Sequence, residues 1–283
     1  QILLAGTGCG AVLVLLARLL ALWLPPRPAI GLAAAVGLGS SLVSTLGSAL
    51  WSFDAELVFL LLALLEAARL VRGGGPPRGA RLGALLAAAW LCRPSAVACA
   101  LPVLTLLAWR DRRGLARAAL GAAAVLGPAV LFFHAQTGRL LPGYYGGERW
   151  LASAAWGAWA PNLASLLLSP ARGLLVFTPF LAFGLLALLV PGVRRDPLAR
   201  VLAAWVGLTL AATASQGNWW GGWCFGPRLL TEAVVPLALL AACAWSRLGR
   251  ARGGLALRAC VAASLAWGLG VHSGVGLFRP AAY

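Results

Sequence analysis

The chain has 283 residues, 61% of them hydrophobic and 11% charged, which is too little polar surface for a water-soluble globule of this size. Its net charge of +16 comes from 23 basic residues, all arginine, against 7 acidic ones. The arginines stand in short clusters between apolar runs, with no basic stripe and interleaved aromatics along one face, so nucleic acid is excluded as a partner and membrane lipids are expected instead.

A helix needs about 20 apolar residues to cross the hydrocarbon of a bilayer. Windows of that length place about eight crossings, at residues 2–24, 29–50, 55–71, 118–135, 173–191, 199–215, 229–245 and 256–277. The expected fold class is therefore an all-α integral membrane protein, a multispanning helical bundle forming a single transmembrane domain over residues 1–283. Between Arg81 and Arg110 the apolar stretch is too long for one ordinary crossing and too short for two, and Cys92, Arg93 and Pro94 stand in its middle. A re-entrant hairpin of two short helices broken at Arg93 and Pro94 keeps the flanking arginine clusters on one side, as the charge rule asks. The clusters around Arg27, Arg72 to Arg81, Arg110 to Arg117, Arg194 to Arg200 and Arg247 to Arg258 then all face the cytoplasm. The absence of lysine fits a GC-rich bacterial genome, and the expected location is the bacterial inner membrane.

The opposite, extracytoplasmic side receives residues 51–54, 136–172 and 215–228. These segments hold Tyr144, Tyr145, Trp150, Trp156, Trp159, Trp219, Trp220 and Trp223, more aromatics than an interfacial belt alone explains. Asp54 and Glu56 open a helix there, where a carboxylate can cap the helix or serve as a base or a divalent-cation ligand at the edge of an external cavity. Arg93, at membrane depth, must meet water, a carboxylate or a phosphate. Arg172 either anchors at lipid headgroups or contacts a substrate phosphate. Arg228 precedes Glu232 by four residues on one helical face, as a structural ion pair or as an anion holder oriented by Glu232. His134 and His272 read as hydrogen-bonded packing.

Cys9, Cys92, Cys99, Cys243 and Cys260 fall inside apolar runs and Cys224 in an external loop, a pattern of buried small side chains and not of a disulfide or metal framework. No phosphate-binding loop, serine-hydrolase elbow or zinc-protease motif occurs. The linker "RGGGPPRGAR" reads as a flexible loop, and no fixed repeat is visible. No charged n-region precedes the first apolar run, so no cleavable signal peptide is expected there. The chain opens on Gln1 within an apolar run and contains no methionine, so it is expected to be a fragment.

Four stretches, "LWSFDAELVFLLLALLEAARL", "RLGALLAAAWLCRPSAVACALPVLTLLAWRDRR", "LLSPARGLLVFTPFLAFGLLAL" and "GNWWGGWCFGPRLLTEAVVPLALLAA", together resemble the middle and later parts of bacterial GT-C glycosyltransferases, the group of the protein mannosyltransferases and lipid A aminoarabinose transferases. The resemblance implies a multispanning enzyme that moves a sugar from a polyprenyl-phosphate carrier to an acceptor on the extracytoplasmic side. It places Asp54 as a second acidic catalytic residue, and Arg93, Arg172 and Arg228 near the carrier phosphate. Glu232, Trp219, Trp220, Tyr144 and Tyr145 are expected to line the substrate site, with a divalent cation as a compatible cofactor. The family keeps its main catalytic carboxylate in the first external loop. That loop is expected to be missing, which would leave the fragment inactive. The competing expectation is a transporter or flippase for a lipid-linked or small anionic substrate, suggested by the hairpin and by Arg93.

Overall fold

The computed structural model describes residues 2–46, 52–73, 78–145, 154–222, 225–252 and 254–276. Trp51, Trp150, Trp223 and Cys224, singled out in the sequence, lie outside them. The described residues form helices joined by turns, and the one β-contact among them is an isolated antiparallel bridge between Ala154 and Gln216. The long helices are α1 (Ile2–Leu20), α2 (Pro26–Leu38), α3 (Ser52–Arg72), α4 (Gly79–Cys92), α5 (Val97–Arg110), α6 (Arg112–Thr137), α7 (Trp159–Leu168), α8 (Pro197–Ala214), α9 (Thr231–Arg252) and α10 (Leu255–Leu269).

Local chemistry sets their ends. Asp111 caps α6 by accepting the Gly114 N–H at 2.8 Å, and Gly138 closes it with a left-handed φ of 69°, its N–H bonded to His134 O. Pro94 forces Arg93 into extended backbone (φ −154°, ψ 132°), which stops α4. A single 3-10 turn, Pro94–Ala96, then leads into α5. The start of α4 lies against the start of α6, since a Cβ on Gly79 would fall 2.4 Å from Gly114 O. Because α6 follows directly on the end of α5, α4 and α5 run in opposite directions and the arginines at both outer ends share one end of the bundle.

The α4 and α6 backbones touch where side chains are absent. A Cβ on Gly83 would sit 1.8 Å from Ala118 O, and one on Gly121 would sit 1.8 Å from Ala80 O, the small-residue contact that lets helices approach closely in lipid. At the centre of the bundle is α9: 83% of the apolar window in Arg228–Leu248 is buried, against 11% in Arg112–Thr137 and in Leu255–Gly276. The outer helices present apolar side chains to the surroundings. Leu131 and Phe132 on α6 are 71% and 61% exposed, and Leu255 on α10 is 85% exposed. Surfaces of that kind belong in hydrocarbon.

Among the described residues, five helices are long and apolar enough to cross a membrane by length and composition: Leu3–Leu20, Arg112–Thr137, Pro197–Ala214, Arg228–Leu248 and Leu255–Gly276. The remaining expected crossings take other forms. The segment 29–50 leaves α-helix at Leu38, because the backbone of Gly39 meets that of Gly268 and Leu269, and it continues as the π-turn Leu42–Leu46. Residues 55–71 lie within α3, which carries Asp54, Glu56, Glu66, Arg69 and Arg72 along its 21 residues. The stretch 173–191 is broken into short helical pieces, with Thr178 before Pro179 and Val190 before Pro191 pushed out of helical geometry. It still runs the length of the bundle, from Phe177 beside Phe225 to Gly192 beside Arg247.

Candidate functional site

Two charged centres mark the two ends of the bundle. At the arginine-rich end, Asp196 caps α8 by accepting the N–H groups of Leu198 (3.0 Å) and Ala199 (3.4 Å). Its Oδ2 also receives Arg72 Nη2 at 3.0 Å, Arg247 Nη2 at 3.3 Å and the indole N–H of Trp23 at 3.3 Å. Nearby, Glu66 pairs with Arg69 at 3.0 Å and with Arg81 at 3.2 Å.

The other end is the candidate site, and it is built around Arg93. The break between α4 and α5 holds the Arg93 guanidinium over the ring of Phe53, 3.6 Å from the centroid. Arg93 Nε lies 3.3 Å from Glu56 Oε2 and 3.4 Å from Glu232 Oε1. Ser95 Oγ sits between the same two carboxylates, 2.7 Å from Glu232 Oε1 and 3.2 Å from Glu56 Oε1, and accepts from Arg93 Nε at 3.3 Å. Helical spacing explains the α3 side of this arrangement. Ser52 and Phe53 stand four and three residues before Glu56, on its face of the helix, and all three meet Arg93, with Ser52 Oγ accepting from Nη1 at 3.4 Å.

Asp54 is two residues from Glu56, about 200° around the helix, and so points elsewhere. A Cβ on Gly8 of α1 would lie 3.2 Å from Asp54 Oδ1. The Asp54 carboxylate is buried against α1 and turned away from Arg93. Glu232, in the first turn of α9, takes Arg93 as its guanidinium partner. Arg228 lies in the single 3-10 turn that leads into α9, half-buried, with its carbonyl accepting the Thr231 hydroxyl at 2.8 Å. Arg172 is half-buried in the turn after α7, where Ser169 O receives the N–H groups of Arg172 and Gly173. Asn162 fastens α7 to the end of α8, its Nδ2 donating to Ala214 O at 3.0 Å.

The aromatic residues form two groups. Tyr145 packs on Trp90, with centroids 4.9 Å apart, and donates its hydroxyl to Leu91 O, just ahead of the Arg93 break. Tyr144 stands edge-on to it at 5.5 Å and is 58% exposed. Trp219 and Trp220 form a second edge-to-face pair, 6.0 Å between centroids. His272, between Phe177 and Phe225, is fully buried, Nδ1 on Ser44 Oγ at 2.9 Å and Nε2 on Thr178 Oγ1 at 3.1 Å, as hydrogen-bonded packing. His134 is exposed near the end of α6.

The structure therefore joins Arg93, Glu232 and Glu56 among the residues singled out in the sequence, and adds Ser95, Ser52 and Phe53. Glu56 was visible in the sequence as a carboxylate one helical turn into an apolar run, which is the partner an arginine at membrane depth requires. Within this cluster one guanidinium faces two carboxylates. Glu56 is 0% and Glu232 1% exposed, and an Oε2 atom of each lacks a hydrogen-bond partner among the described residues. Ionised, the pair leaves one negative charge in excess, which a proton or a cation has to balance. No group of three or more His, Cys, Asp or Glu able to hold a metal ion occurs among the described residues. The chain matches no protein family, no curated protein and no solved structure.

Proposed function

We propose that this chain belongs to a membrane glycosyltransferase of the GT-C type, which transfers a sugar from a polyprenyl-phosphate carrier to an acceptor at the end of the bundle holding Arg93. In this reading that end is the extracytoplasmic face of a bacterial cytoplasmic membrane. The pair α4 and α5 is re-entrant, and residues 29–50, 55–71 and 173–191 cross beside the five long apolar helices, about eight crossings in all.

The observation that carries the reading is the meeting of two interrupted segments: Arg93 at the α4–α5 break bonds Glu232 in the first turn of α9, directly after Arg228. The Arg93 charge is taken up by Glu56 and Glu232, so Arg93 positions the helix ends. The phosphate of the carrier falls to Arg228 and Arg172, whose planar forks suit two phosphate oxygens and whose charge would stabilise the departing phosphate. Asp54 receives the acceptor proton or a divalent cation. Buried against Gly8, it does so only when α1 moves aside. The exposed rings of Tyr144 and Trp220, backed by Tyr145 and Trp219, offer faces for a sugar.

The test is transfer of labelled sugar from polyprenyl-phosphate donors by the full-length protein, first external loop included, in proteoliposomes. Arg228→Lys keeps the charge and loses the fork, and turnover should fall by about a hundredfold, the usual worth of one such contact to the transition state. Wild-type turnover by folded Arg228→Lys and Arg228→Ala would remove Arg228 from the reaction. The second reading, a transporter or flippase for a lipid-linked or small anionic substrate, is favoured by one observation, a buried charged cluster at a broken helix. Movement of the labelled lipid across the liposome with no transfer would establish it instead.

A further inference from the structure

Away from this site, a groove of about 330 Å³ lies between α5 and α8. Its walls are continuous helical stripes. Residues 101 to 110 of α5 and 197 to 208 of α8 contribute the side chains of one helical face each, and at 1.5 Å per residue the groove is about 14 to 16 Å long. That is half of the roughly 30 Å hydrocarbon core, or the depth of one leaflet. The groove is polar at one mouth only. Because α5 ends and α8 begins at the Asp196 end, Arg110 and Arg200 stand together there, and Leu101 and Leu208 line the other mouth.

Both arginines are exposed, and neither is in an ion pair among the described residues. The neighbouring carboxylates are engaged: Asp196 holds Arg72 and Arg247, and Asp111 caps α6. Trp109, 77% exposed beside Arg110, is a side chain suited to the headgroup level. An apolar slot one leaflet deep, with two uncompensated guanidiniums at its wet end, is complementary to an amphiphile bearing a negative headgroup.

We propose that this groove binds one anionic glycerophospholipid from the leaflet at the arginine-rich end, with an acyl chain along α5 and α8 and the phosphate between Arg110 and Arg200. The site rests on the membrane placement of the bundle and is independent of the transfer reaction. A zwitterionic lipid fits the slot equally well, but its own positive group meets the two guanidiniums.

The experiment is native mass spectrometry of the full chain released from nanodiscs containing equal amounts of phosphatidylglycerol and phosphatidylcholine. Phosphatidylglycerol should be retained in preference by about thirtyfold, as two arginines at a headgroup provide. The double variant Arg110→Gln, Arg200→Gln should bring the preference to about one. Ala204→Phe fills the groove wall and leaves both arginines, and it should lower retention of either lipid. Equal retention by the wild-type chain, or an unchanged preference in the double variant, overturns the proposal. So does polyprenyl phosphate that displaces phosphatidylglycerol from the wild-type chain alone, which would assign the groove to the carrier. A dimer lost on Ala204→Phe, with no lipid adduct, would assign it to a second copy of this chain.

Discussion

The two ends of the bundle solve the problem of a buried carboxylate in opposite ways. Asp196 is one carboxylate with two guanidiniums, an indole N–H and two helical N–H groups around it, and its arginines are still 35% and 40% exposed. At the other end, two carboxylates share one guanidinium that is 16% exposed, and an oxygen of each goes without a hydrogen bond among the described residues. The first centre carries surplus positive charge beside solvent, where it costs little. The second carries surplus negative charge in the interior, where an unbalanced charge is expensive. An end tied together by Asp196 serves as a clamp; an end left short of one positive charge is where a proton, cation or substrate has something to bind.

Removing the centre of each cluster should separate them most clearly. Arg93→Ala leaves Glu56 and Glu232 facing each other in the interior, and we expect a loss of about 3–5 kcal/mol, read as a lowered unfolding midpoint in detergent. Restoring neutrality by adding Glu56→Gln and Glu232→Gln should recover much of it. An Arg93→Ala protein that unfolds with the wild type would mean the two carboxylates are solvated, and the contrast between the ends would disappear. Asp196→Ala is the counterpart. It removes the α8 cap and two ion pairs with half-exposed arginines, for which about 1–2 kcal/mol is expected. The freed guanidiniums can turn to water, so this change should cost less than Arg93→Ala.

What was legible in the sequence follows the same division. The arginine clusters were readable because charge beside apolar runs has one cheap location, and Arg93 was readable because an arginine within a long apolar stretch must meet water, a carboxylate or a phosphate. Which of the three, and which carboxylate, was not. The i, i+4 rule pointed Glu232 at Arg228, but that rule compares neighbours on one helix, and the α4–α5 break delivers Arg93 to the same carboxylate from another part of the chain. Asp54 and Glu56 looked equivalent as acidic residues opening a helix, and only the packing of α1 against α3 decides that Glu56 faces the cluster and Asp54 faces Gly8. Hydropathy also could not divide 173–191, since its broken pieces are as apolar as a continuous crossing. Pro179 and Pro191 were the available signal there.

The finest discrimination comes from a change that should do almost nothing. Glu232→Gln removes the excess negative charge and keeps an oxygen to accept the Ser95 hydroxyl. Its new N–H₂ group lies within reach of Glu56, because Ser95 Oγ and Arg93 Nε each touch both carboxylates within 3.4 Å. One guanidinium then faces one carboxylate and one amide, a neutral set with its hydrogen bonds available. Stability should stay within about 1 kcal/mol of wild type, since the hydrogen-bonding atoms are kept and only the surplus charge is lost. By contrast Asp196→Asn, the same atom-for-atom exchange at the clamp, takes the only anion from two guanidiniums and should be the more costly of the two. Unfolding midpoints of the two variants in one detergent decide the order. Should Glu232→Gln cost as much as Arg93→Ala, the extra negative charge is already matched by a bound cation, and this end would then be a cation site and not an open one.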